Sequence, residues 1–137
     1  MPTRVPLLRS HALVVVWVTV NGTADLRIAV DAGSVFTIIS QRAAARTGLT
    51  LSGPFHQIPL VTAERVTAPV TLGRLDSLQI GAVSLQNVEA GIAQLPAVLD
   101  IDGILGLSFL RHFRVTFEFD TASLVLREPP PAGRASR

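Results

Sequence analysis

Leu26-Arg27-Ile28-Ala29-Val30-Asp31-Ala32-Gly33-Ser34-Val35-Phe36-Thr37-Ile38-Ile39-Ser40 is the stretch whose reading decides the fold. An apolar strand ends on a carboxylate, turns at a glycine and resumes as a second apolar run. A carboxylate is costly to bury without partners. Asp31 is therefore either a turn residue, accepting from backbone N–H groups two positions on, or a group kept for chemistry. Gly33 suits both readings. A turn directly after a strand needs a residue with few steric limits, and one that lets backbone approach a ligand or a second chain. Ser34 has a hydroxyl within reach of backbone or the neighbouring carboxylate.

Upstream, Val14, Val16, Val18 and Val20 alternate with Val15, Trp17 and Thr19. All are β-formers, so the segment reads as a strand buried on both faces, with Trp17 in the core. Asn21-Gly22 is a strong hairpin signal, because both residues tolerate positive φ. The return strand, residues 23–30, delivers Asp31 to its turn. Downstream, Ser40 is placed to cap a short helix, Gln41–Thr47, that Gly48 closes. Strands follow at residues 57–62 and 66–72, with a hairpin tip at Ala63-Glu64-Arg65. Further hairpins are expected from 76–80 with 83–93, turning at Gly81-Ala82, and from 114–120 with 124–126. Turns every eight to twelve residues imply an all-β sandwich or barrel. A faint internal repeat relates Val30-Asp31-Ala32-Gly33 to Ile104-Leu105-Gly106-Leu107.

The chain has 137 residues, 48% of them hydrophobic and 16% charged. That is one domain, long enough to bury its own core. We place the domain at residues 13–128, after an N-terminal extension (1–12) and before a disordered Pro/Arg tail (129–137). Cysteine is absent, and His11, His56 and His112 are far apart. No metal site and no cofactor is expected. Every basic residue is arginine, but the net charge is only +2. No basic stripe with interleaved aromatics appears, which argues against nucleic-acid binding. Residues 12–20 are too short to span a bilayer and lack a small-residue cleavage site. The expectation is a cytoplasmic protein without membrane association.

Three segments in order carry a family resemblance: the hairpin Trp17-Val18-Thr19-Val20-Asn21-Gly22, the turn Asp31-Ala32-Gly33-Ser34, and Asp102-Gly103-Ile104-Leu105-Gly106-Leu107-Ser108-Phe109-Leu110. Together they resemble the single-domain, retropepsin-like branch of aspartic peptidases over roughly residues 13–126. The resemblance implies a closed β-barrel or sandwich with a flap hairpin and one or two short helices, acting as a two-fold homodimer. Asp31 would be the catalytic carboxylate within the active-site turn Ala32-Gly33-Ser34. Ala63, Glu64 and Arg65 would form the flap over an extended polypeptide substrate. Ile104, Leu105 and Gly106 would be the structural motif of the second half, and Asp102 a turn residue without a catalytic part. One departure is plain: the family's Thr or Ser after the aspartate is Ala32 here. The flap tip also lacks the usual glycine. A catalytically weakened peptide-binding or self-association module on the same fold is the alternative. Chemistry of this class needs two carboxylates sharing one proton, a pairing that general pKa rules illustrate with aspartic peptidases themselves. With one Asp-x-Gly per chain, the second must come from another subunit.

Overall fold

Asn21 and Gly22 both take positive φ, 52° and 76°. The chain therefore turns back where the dipeptide predicts, though the loop takes three residues rather than two. Strand β3 (Leu13–Val20) pairs antiparallel with β4 (Ala24–Val30), with Val20 opposite Ala24. The Asn21 side chain has a second task. Its Oδ1 accepts from the backbone N–H groups of Asp76 (2.7 Å) and Ser77 (3.2 Å), tying the hairpin to a distant strand.

The computed structural model describes residues 2–10, 13–61 and 66–128. The remaining strands are β1 (Thr3–Pro6), β2 (Leu8–Ser10), β5 (Thr37–Ser40), β6 (Ser52–Val61), β7 (Val66–Ile80), β8 (Val83–Ala93), β9 (Gly103–Leu105), β10 (Arg114–Glu118) and β11 (Ser123–Arg127). Helices α1 (Gln41–Thr47) and α2 (Leu107–Leu110) are short. An eight-stranded sheet runs β2-β3-β4-β9-β5-β8-β7-β6, and β3 also pairs with β7. That extra pairing curls the sheet back on itself. A three-stranded sheet, β1-β11-β10, stands beside it. Residues 3–10, the expected extension, thus contribute a strand to each sheet.

Between the sheets lies one core. Val16, Val18, Val20, Leu26 and Ile28 meet Leu75, Leu78, Ile80, Phe109, Leu124 and Leu126, all buried. Burying such side chains contributes about 1.5–3 kcal/mol each before the entropy of ordering them is counted. Trp17 is not among them. It faces the other side of β3, opposite Arg27 on β4, and remains 53% exposed. Val15 on that face is buried, so the face is covered at one end only.

Local signals set α1 as expected. Ser40 Oγ accepts from Ala43 N–H at 3.0 Å, and Gly48 closes the helix in the left-handed region at φ 72°. Strand β7 departs from expectation by running unbroken through Gly73 and Arg74, which pair with Ala90 and Glu89. Gly73 is set there by crowding: a Cβ would lie 2.8 Å from the Ser52 carbonyl oxygen. After helix α2 the chain continues in turns to Phe113. The expected flap residues Ala63, Glu64 and Arg65, and the tail from residue 129, lie outside the described residues. The β6–β7 hairpin is described as far as the pair Val61 and Val66. Among the described residues, no helix is long and apolar enough to cross a membrane.

Candidate active site

Strand β9 lies between β4 and β5, parallel to the first and antiparallel to the second. Val30 and Leu105 are register partners, so the two halves of the faint repeat end side by side. Each then turns. After β4 comes the segment 31–36; after β9 come Gly106 and α2.

The two turns are fastened backbone to backbone. Asp31 N–H donates to Leu105 O at 3.0 Å. Leu107 N–H donates to Ser34 O (2.8 Å) and Ser108 N–H to Val35 O (2.9 Å). Gly106 makes this approach possible. A Cβ there would sit 2.3 Å from Phe36 O and 2.6 Å from Ser34 O. Leu105 is buried, and Ile104 is partly exposed beside an apolar cluster of Ile38, Val70 and Ala93. Below the turns, Thr37 and Ser108 are buried polar residues whose hydroxyls meet at 3.0 Å.

Asp31 itself is exposed, as are Ala32 and Gly33. Its Oδ1 accepts from Gly33 N–H at 2.9 Å, and its carbonyl from Ser34 N–H at 3.1 Å. Oδ2 has no partner among the described residues. The carboxylate thus closes the turn through one oxygen, on an exposed residue. Gly33 needs space rather than a positive φ, since a Cβ would lie 3.1 Å from Asp31 Oδ1. Ser34 Oγ donates to Phe36 O at 2.7 Å, not to the carboxylate. Exposed Val35 and partly buried Ile58 and Ile104 add apolar surface.

A sequence profile for the family described as "gag-polyprotein putative aspartyl protease" matches residues 16–112, well over half of the chain. The chain belongs to this aspartyl protease family. Its β-rich architecture matches solved retropepsin-like folds. A retropepsin-like aspartic protease from Rickettsia conorii superposes with a TM-score of 0.63 at 20% identity, over 92% of this chain and 89% of that one. EIAV protease in complex with the inhibitor HBY-793 gives 0.56 at 15% identity, over 74% and 88%. The retroviral protease-like domain of Ddi1 from Leishmania major gives 0.55 at 17%, over 86% and 94%. At such identities the likeness establishes the fold. No curated protein sequence matches the chain.

Beyond the turn, Asp102 does more than shape a bend. Its Oδ2 accepts from Arg27 N–H (2.9 Å) and its Oδ1 from Arg46 Nη2 (3.0 Å), while its carbonyl accepts from Ser40 N–H (2.8 Å). It thereby ties β4, β5 and α1 together at the start of β9, the end of the β4–β9 ladder away from Asp31. Sequence reasoning passed over this, and over Thr37 and Ser108. The available signal was polarity out of place: a threonine within the apolar run after Val35, and a serine among Leu107, Phe109 and Leu110.

Proposed function

We propose that this protein is an aspartic endopeptidase that works as a two-fold homodimer, with Asp31 of each subunit forming the catalytic dyad. The supporting observation is the Asp31 carboxylate. It is exposed at a turn stitched between two strands, with one oxygen held and the other free. A free oxygen at an exposed turn is what a second carboxylate and a water would need.

Two carboxylates about 3 Å apart cannot both ionise, so the dyad shares one proton. The ionised member takes a proton from the bound water, whose oxygen attacks the carbonyl carbon of the scissile peptide. The protonated member donates to the carbonyl oxygen. Collapse of the tetrahedral adduct breaks the C–N bond, with the leaving nitrogen taking a proton from the dyad. The substrate is an extended polypeptide, held by backbone hydrogen bonds beneath the flap residues Ala63, Glu64 and Arg65. Apolar subsites come from Val35, Ile58, Val66 and Ile104. Neither metal nor organic cofactor takes part. The partner chain docks against the edge strand β10, where exposed Phe117 stacks at 6.0 Å on exposed Phe119 just past the strand's end.

Ala32 favours a second reading, a peptide-binding or self-association module without turnover. Exposed and lacking a hydroxyl, it forms no side-chain bond across the dyad. Parallel cleavage assays of wild type and Asp31→Asn separate the two. Cleavage lost in the variant supports the peptidase; absence of cleavage by a dimeric wild type supports the module.

A further inference from the structure

We infer that the buried hydroxyl pair of Thr37 and Ser108 is the positioning element that holds the Asp31 turn in its working geometry, a role that rests on the peptidase reading above. The β5–β9 ladder consists of two pairs, Ile38 with Ile104 and Ile39 with Gly103. One residue nearer the site, side chains replace the ladder. Gly106 N–H donates to Thr37 Oγ1 at 3.2 Å, and Thr37 N–H donates to Ser108 Oγ at 3.1 Å. The hydroxyls close the square at 3.0 Å, Ser108 donating to Thr37. Two backbone donors that would otherwise be orphaned in the interior are satisfied there, as buried groups require.

The consequence lies one layer up. Ser108 and Leu107 are the residues whose N–H groups fasten Val35 O and Ser34 O, and Gly106 presses against Ser34 and Phe36. The square thus fixes where α2 begins, and α2 fixes the exit of the Asp31 turn. Asp31 contributes little of its own, since among the described residues its carboxylate is held only by Gly33 N–H two residues away. Its direction follows the backbone. Thr37 is fully buried and Ser108 4% exposed, so water cannot take over from a missing hydroxyl without opening the seam.

The test uses Thr37→Val, which keeps shape and removes the hydroxyl, with Thr37→Ser as the conservative rescue and Ser108→Ala as a milder lesion. Peptide cleavage and amide hydrogen exchange are measured well below each variant's melting temperature, with folded fraction checked by circular dichroism. Thr37→Val is expected to lower kcat about ten- to a hundred-fold, the penalty of a small misplacement near the chemistry. KM should stay within about twofold, because substrate contacts are untouched. Amides of Gly33, Ser34 and Phe36 should exchange about tenfold faster or more, with the β7–β8 hairpin unchanged. Thr37→Ser should recover kcat to within about threefold. Should Thr37→Val not fold, Ser108→Ala carries the same expectations in direction. A folded variant with unaltered exchange and kcat overturns the assignment, as does a Thr37→Ser as impaired as Thr37→Val. If the wild type cleaves nothing, the exchange arm decides positioning alone. If it cleaves through Asp31 while exchange and kcat ignore both hydroxyls, positioning falls and the peptidase stands.

Discussion

Replacing Gly106 by alanine strikes the point where the two turns meet. The added methyl would lie 2.3 Å from Phe36 O and 2.6 Å from Ser34 O. Both are backbone atoms, so no side chain can swing aside, and relief needs a backbone shift of about 1 Å to reach ordinary contact. Ser34 O also accepts from Leu107 N–H at 2.8 Å, a bond that such a shift would stretch or break. Overpacking costs about 1–3 kcal/mol, and losing that hydrogen bond about 0.5–1.5 kcal/mol more. The sum, roughly 1.5–4.5 kcal/mol, is a large fraction of the roughly 5–15 kcal/mol that is usual for a domain. At about 3–5 °C per kcal/mol for a chain of this size, melting should fall by roughly 5–20 °C. Gly22→Ala is the control. It meets nothing within 4 Å but sits at φ +76°. It should cost only the conformational strain, about 1–2 kcal/mol. Differential scanning calorimetry of both variants decides the matter. A Gly106→Ala protein that melts within a few degrees of wild type, or no lower than Gly22→Ala, would refute the interlocked-turn geometry.

Ala32→Thr should strengthen the homodimer. Two symmetric hydrogen bonds of about 0.5–1.5 kcal/mol each would tighten association about five- to a hundred-fold, read by sedimentation equilibrium, and cleavage should rise with it. Asp102→Ala leaves Arg27 N–H and Arg46 without their acceptor, so chemical denaturation should show a loss of about 1–3 kcal/mol. The Arg4 guanidinium, hydrogen-bonded to Glu118, holds that carboxyl below the ordinary glutamate value. The sign follows from linkage: a depressed folded pKa stabilises above the unfolded value of 4.5, and the benefit is lost as pH falls through the lower folded value. Wild type should therefore melt above Glu118→Gln at neutral pH, with the gap closing as pH falls below 4.5 and through the lower folded value. An unchanged gap in acid would count against the Arg4 link between β1 and β10.

Where signals were local, the sequence could be read. Asn21-Gly22 announced its hairpin because positive φ is a property of those residue types, and Ser40 with Gly48 bounded α1 because caps are local hydrogen bonds. Asp31 was found because an acidic residue between two apolar runs is conspicuous. What stayed hidden depends on partners distant in sequence. Gly73 falls just past the expected strand 66–72, and only the Ser52 carbonyl of the paired strand β6 explains it. Trp17 looks like core until it is found 53% exposed, opposite Arg27. Thr37 and Ser108 are 71 residues apart, and no periodicity could pair them. The second carboxylate is hidden for a deeper reason, since one chain carries one Asp-x-Gly and the proposed dyad belongs to two.

The most direct test of the central claim is cleavage of a peptide library from about pH 4 to 7, with wild type and Asp31→Asn compared at concentrations where both sediment as dimers. The account predicts cleavage by the wild type and none by the variant, with dimerisation retained. Equal cleavage by both, or none by a dimeric wild type, would contradict it.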